Sequence, residues 1–225
     1  MFRQTFCFLL LLTLCLIYRS VRSQNDPVTK QLDNWKLEKD KNGIQVYSRH
    51  LDHSRLKEVK VLCDIKGTMN QLVAFIFDID RYKDVVYRVK DSYLVRRVSD
   101  REFYYYNETS MPWPIQNRDL VLHMTLQQEK DSRIVHIHAD NAHEILPERK
   151  GIVRVPSWYS LWTVQETDNH RLKIKYVFQV DPGGELPIWL VNATIAVGPY
   201  QSFSMIEEIL DQPQYQGKIF SFLKP

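Results

Sequence analysis

The sequence predicts an α+β domain in which a curved antiparallel sheet of about nine strands wraps over a long C-terminal α-helix, with two short helices inserted after the third strand. Three observations carry this. Apolar residues recur with period two over most of 35–180, as in strands with one buried face. Between Gly67 and Val89 the period becomes helical. From Pro187 onward an apolar helical pattern runs long enough to cover the face that the strands present.

The elements follow in chain order. A short polar helix is expected at about 28–34. Trp35-Lys-Leu-Glu-Lys and Ile44-Gln-Val-Tyr-Ser flank Asp40-Lys-Asn-Gly43, where Asn-Gly is the favoured hairpin pair. Val59, Val61, Cys63 and Ile65 alternate with polar positions in a third strand. Thr68 with Gln71 forms a capping box, and Met69, Leu72, Val73, Phe75, Ile76 and Ile79 recur at helical spacing over about 11 residues. A second short helix is expected over 80–89. Six strands then follow, at Tyr93 to Val98, Glu102 to Thr109, Asp119 to Gln127, Arg133 to Ala139, Gly151 to Val164 and Arg171 to Val180. Turn signals such as Val98-Ser-Asp-Arg and Thr167-Asp-Asn-His separate most of them. In the last strand Leu172, Ile174, Tyr176, Phe178 and Val180 share one face while Lys173, Lys175 and Gln179 share the other, so the sheet is wet on one side.

Arg3, an uncharged run from Gln4 to Tyr18, and then Arg19, Arg22 and Ser23 read as a secretory signal over residues 1–23. Its apolar core is shorter than the ~20 residues of a membrane span. The expected mature domain is therefore 24–225, exported to a periplasmic or secreted location. Removing Arg3, Arg19 and Arg22 with no acid takes the formal net charge from +3 to 0, a poor balance for binding nucleic acid. Cys7 and Cys15 leave with the signal, so Cys63 remains alone and the core must hold the fold without an internal disulfide. Asn107-Glu-Thr and Asn192-Ala-Thr match the glycosylation sequon but fall in regular structure, which argues against their use.

Two stretches resemble a known family. Pro112-Trp-Pro-Ile-Gln-Asn-Arg-Asp119 looks like the Pro-x-Pro-x-x-Asn-Arg-Asp loop of START lipid-transfer domains, and Asp181-Pro-Gly-Gly-Glu-Leu-Pro-Ile-Trp-Leu-Val-Asn192 looks like their entry to the terminal helix. The resemblance covers essentially all of the mature chain and implies the helix-grip fold, in which sheet and terminal helix enclose a tunnel for one hydrophobic ligand, usually a lipid. It further implies gating by the terminal helix and a nearby loop, and no enzymatic activity or cofactor. Two departures stand out. Val85 follows Tyr82 where relatives have Trp, and Met124 stands where some sterol- or phospholipid-binding relatives place an inward Arg, so the head group is not transferable.

The tunnel-lining residues expected are Leu120, Leu122, Met124 and Leu126, then Val135 and Ile137, then Tyr176 and Phe178, completed by Ile188, Val191, Ile195, Phe203 and Met205. Tyr104, Tyr106 and Glu108 share a face. If that face is inward, Glu108 is the candidate head-group anchor, since a buried carboxylate needs a partner. Trp113, between Pro112 and Pro114 and beside Ile115, forms an apolar loop tip that either dips transiently into a membrane interface, gates the tunnel, or anchors the loop in the core. Arg118-Asp119 reads as a structural pair. Pro199 lacks an N–H and clashes with the turn before it, so the helix is expected to kink or restart at Gly198-Pro199. That break acts as a hinge, as a bend over a curved sheet, or as both. The partners expected are one lipid and a membrane surface, with the protein a monomer.

Two other classes compete. His136-Ile-His138, with His123 and His143-Glu144, resembles the cupin metal pattern, but the parity that turns Val135 and Ile137 inward turns both His outward. Helix-grip relatives that cyclise or dehydrate polyketides use acids and His inside the cavity, and no His falls on the inward faces here. Cys63 has no evident base and reads as an inert buried thiol.

Overall fold

A computed structural model describes residues 34–224. The signal segment, the expected cleavage point and nearly all of the expected first polar helix lie outside the described residues.

Among the described residues ten strands build one sheet: β1 (Lys36–Lys41), β2 (Ile44–Leu51), β3 (Ser54–Lys66), β4 (Val89–Ser99), β5 (Glu102–Thr109), β6 (Asn117–Gln128), β7 (Ile134–Asn141), β8 (Ile152–Arg154), β9 (Ser157–Thr167) and β10 (Arg171–Asp181). Their order is β1-β2-β3-β10-β9-β7-β6-β5-β4, with β8 paired to β6 off this path. The β1–β2 turn holds Asn42 and Gly43 at φ 54° and 75°, the left-handed pair that a two-residue hairpin of matching twist requires. Nine strands were expected because Gly151 to Val164 reads as one. The structure divides it at Pro156, which has no N–H for a ladder. Before the break, β8 runs parallel to the start of β6, and beyond it β9 pairs antiparallel with β7 and β10.

Helix α1 (Met69–Phe77) begins with the expected capping box. The Gln71 N–H donates to Thr68 Oγ1 at 3.2 Å, and the Thr68 N–H donates to Gln71 Oε1 at 2.7 Å. Its buried stripe, Met69, Leu72, Val73, Phe75 and Ile76, faces the sheet, and one 3₁₀ turn leads to the single-turn α2 (Tyr82–Val85). The terminal helix comes in two segments, α3 (Ile188–Thr194) and α4 (Val197–Leu210). α4 buries Tyr200, Phe203, Ile206, Ile209 and Leu210 against the concave face, an i, i+3 stripe that leaves Met205 39% exposed. Met205 therefore does not line the interior as expected; Ile206 does.

One end of the concave space is packed with rings. Phe77 meets Phe103 edge-on at 5.3 Å and Phe220 at 5.5 Å, while Phe75 meets Tyr82 and Tyr215. The C-terminal tail is fastened there, because the Phe220 N–H donates to Asn70 and the Gln128 amide bonds both the N–H and the carbonyl of Lys224. Opposite lie the β5–β6 loop, the start of β3 and the turn that enters α3.

Candidate functional site

The inward faces of the central strands are those expected. Leu120, Leu122, Met124, Leu126, Val135, Ile137, Tyr176 and Phe178 are all buried in the main core. Strand register adds residues that sequence reasoning missed, because Ile137 and Tyr176 both pair with Trp162, Phe178 pairs with Ser160, and Val180 pairs with Trp158. Trp162 stacks on Phe203 of α4 at 5.0 Å, and Trp158 stacks on Phe178 at 5.5 Å. The aromatic wall on the β9–β10 side thus ends on α4.

β5 corrects the expectation. Phe103, Tyr105 and Asn107 pair with inward Met124, Leu122 and Leu120, so they face the concave side. Tyr104, Tyr106 and Glu108 face the convex side, where Tyr106 joins a separate small cluster with Val121 and Ala142. Glu108 is neither a head-group anchor nor solvated. It accepts from Lys90 at 2.9 Å and Asn117 at 2.7 Å, and Asn117 Oδ1 in turn accepts from the Met111 N–H. Burial raises its pKa, but the hydrogen bonds from Lys90 and Asn117 outweigh burial and leave the carboxyl below its ordinary value. Its place is at the base of the β5–β6 loop. On the concave side, Tyr105 is 7% exposed, and neither its hydroxyl nor the Asn107 amide has a hydrogen-bond partner among the described residues.

The cover of this space is uneven. α3 has no buried residue, and Ile188, Leu190 and Val191 remain half-buried; burial resumes at Ile195, in the junction. It is held by Asn192, whose Oδ1 accepts from the Lys57 N–H at 3.2 Å and whose Nδ2 donates to the Arg55 carbonyl at 3.2 Å, as a strand neighbour would. The helix breaks at Ile195–Ala196 rather than at Gly198-Pro199. Pro199 removes the donor that the Ile195 carbonyl would use, so the interruption falls one turn earlier and Pro199 sits in the first turn of α4, where a missing N–H is tolerated. A Cβ on Gly198 would meet nothing within 4 Å, so packing does not require this glycine.

The loop at the open end carries Trp113 at 92% exposure, with Ile115 half-buried, so Trp113 is not a core anchor. Trp189 on α3 is 71% exposed. Arg118 joins their two supports. It is 6% exposed and donates to the carbonyls of Gln116, in the Trp113 loop, and of Pro182 and Gly183, in the turn leading to α3. Gly184 lets the guanidinium approach, since a Cβ there would lie 3.2 Å from Arg118 Nη2. Arg118 and Asp119 both bond protein groups, each with its own partners. Asp119 takes a bidentate bond from the buried guanidinium of Arg154, at 2.7 and 3.1 Å.

The rival constellations do not assemble. His136 meets Glu129 at 2.7 Å and His138 meets Asp140 at 3.2 Å, on the convex face, and no group of three potential metal ligands occurs among the described residues. Burial pushes the Cys63 thiol up to about 12, which keeps it protonated. Among the described residues, clefts on the surface include one of about 470 Å³ over Leu62 and Lys175 and one of about 940 Å³ beside Gly67 and Glu207; neither is lined by Tyr105, Asn107 or Phe178.

The chain resembles proteins whose names bear on this arrangement. It is 29% identical over 168 residues to an uncharacterized protein of Pseudomonas aeruginosa, covering 74% of this chain and 82% of that protein. It is 28% identical to the phosphatidylcholine transfer protein of Mus musculus over 71% of this chain and 75% of that protein. The crystal structure of a STAR-related lipid transfer protein fragment from Xanthomonas axonopodis superposes with a TM-score of 0.74 at 32% identity, covering 80% of this chain and all of that fragment. With the START domain model matching residues 19–214, this chain belongs to the START domain family.

Proposed function

We propose that the domain takes up one hydrophobic ligand, a lipid, in a tunnel between the concave face and α3, and carries it between membranes without catalysing a reaction. The observation that carries this reading is that α3 roofs the apolar side of the sheet yet buries none of its seven residues, whereas α4 buries five of its fourteen. A helix laid on a filled core would bury its inner face. Lipid transfer by named relatives supports the same reading.

The energetics suit a carrier. Burying 16 methylenes is worth roughly 13 kcal/mol against water at about 0.8 kcal/mol each. Against a bilayer the same burial is worth almost nothing, since the chain already lay in an apolar medium. Exchange is then limited by movement of α3 about the break at 195–196. Trp113 and Trp189 serve as the membrane contacts, because an indole is favoured at the lipid–water interface. The pattern over 1–23 supports export, and the domain acts as a monomer.

The test is native mass spectrometry with organic extraction and metal analysis on the protein purified from its own compartment. One non-covalent lipid per chain without metal is the expected result. A chain that carries no lipid and takes none from vesicles would sink the proposal. Trp113→Ala should slow transfer between vesicles severalfold while leaving stability within about 0.5 kcal/mol; equal loss of transfer and stability would make the tryptophan structural.

A further inference from the structure

Resting on the lipid-carrier reading, we infer that Arg118 joins the β5–β6 loop and the entry to α3 into one gate, so that the two covers at the open end give way together. Each segment carries an exposed indole, Trp113 on the loop and Trp189 on α3. Between their supports one guanidinium holds three carbonyls. Nη1 donates to Gln116 in the loop, while Nε and Nη2 donate to Pro182 and Gly183 in the turn, at 3.4 and 3.3 Å. Both carbonyls of the turn reach the same side chain because Gly183 and Gly184 adopt left-handed backbone, at φ 63° and 66°, and because Gly184 has no Cβ to crowd Nη2.

The electrostatics make this a joint rather than two separate contacts. Arg118 is buried, and among the described residues no carboxylate forms an ion pair with it. The acids of the same segments are engaged elsewhere: Asp119 with Arg154, Glu108 with Lys90, and Asp181 with the Gly183 N–H. Burial holds the Arg118 pKa below its ordinary value, and no neighbouring charge opposes the shift. The cation therefore depends on three neutral acceptors from two segments, and a buried charge that loses its acceptors is costly. If the turn lifts with α3, only the Gln116 carbonyl remains. The guanidinium then recovers partners by swinging to the water that enters at the open end, which gives up Gln116 and its hold on the loop. Loosening the loop frees the turn by the same exchange, since coupling between two sites is reciprocal. Contact of Trp113 with a membrane thereby bears on the roof of the tunnel.

The experiment perturbs one segment and reads the other. The Ile115 N–H, bonded to the Pro112 carbonyl, reports on the loop, and the Leu190 and Val191 N–H groups, bonded to Pro187, report on α3. Asn192→Ala loosens α3, and in the full chain it should speed amide exchange at Ile115 by about fivefold or more. In an Arg118→Met background the same substitution should leave Ile115 unaltered while Leu190 and Val191 still quicken. Should Arg118→Met fail to fold, Gly184→Ala, whose Cβ would stand 3.2 Å from Nη2, supplies the second test and should likewise weaken transmission to Ile115. An Ile115 that ignores Asn192→Ala would overturn the joint gate, and transmission that survives without the Arg118 fork would overturn the assignment to Arg118. These readings need no lipid. With a bound fluorescent phosphatidylcholine, Arg118→Met should speed release to a soluble acceptor severalfold, and exchange coupling without any change in release would leave Arg118 no part in gating. Failure of the unsubstituted chain to take up that lipid or any other from vesicles would overturn the carrier reading, with the exchange result still deciding whether the two segments are joined.

Discussion

α3 and α4 come from one apolar stretch and meet the same concave face, yet they are held by different forces. α4 drives Phe203 between Trp162 and Tyr176, with ring centroids at 5.0 and 5.4 Å, and adds Tyr200, Ile206, Ile209 and Leu210 to the core. α3, Ile-Trp-Leu-Val-Asn-Ala-Thr, is at least as apolar but buries nothing and is fastened by the amide of Asn192. Hydrophobic composition does not decide burial; the presence of something to pack against does. One segment of the helix is packed into the core, and the other is fastened by two directional bonds.

The largest test of this contrast is a pair of truncations. Phe203→Ala should lower stability by about 3–5 kcal/mol in urea unfolding, from lost burial and the cavity left behind. Val191→Ala should lose less than about 1 kcal/mol, and equal losses would show that α3 is as firmly packed as α4. Next comes the fastening. Asn192→Ala should speed hydrogen exchange of the 188–195 amides about tenfold, the worth of its bonds, while 200–210 stay protected. Release of a fluorescent lipid should accelerate with it, and unchanged release would deny α3 the role of cover.

A smaller effect is expected at the break. Pro199→Ala restores an N–H for the Ile195 carbonyl, so the two segments should join, and stopped-flow release should slow severalfold with little change in equilibrium binding. Faster or unaltered release would remove the hinge. The smallest effect concerns the strand edge under Asn192. Glu38 is held down at about 2, first by the Ser48 hydroxyl, against the opposing effect of burial, and then by Lys57, whose N–H serves Asn192. Because the folded pKa is depressed, its contribution is present above the ordinary carboxyl value of 4.5 and is lost as pH falls toward about 2. Glu38→Gln should therefore flatten stability against pH in that window, by a small amount because the group is partly solvated. An unaltered profile would place the acid sensitivity elsewhere.

Much of this was legible in the chain. The capping box at Thr68, the Asn42-Gly43 hairpin and the inward faces of β6, β7 and β10 follow from local chemistry and from alternation against a wet face. β5 escaped because both of its faces are covered. Tyr105 is buried toward the helix, while Tyr106 is buried under Arg149, whose guanidinium lies 4.2 Å from its ring, and beside Ile145 and Leu146. Where neither face is wet, alternation has nothing to contrast, and parity comes only from pairing with β6. The partners of Arg118 and of Asp119 were likewise decided by residues distant in sequence, whereas the division at Pro156 and the helix break at 195–196 follow from the missing N–H of a nearby proline. The sequence by itself determined which segments are strands and helices and that an apolar face needed a cover. Tertiary structure alone decided how the polar groups along the sheet are paired, because hydrogen-bond satisfaction depends on what the fold brings within about 3 Å rather than on what stands next in the chain.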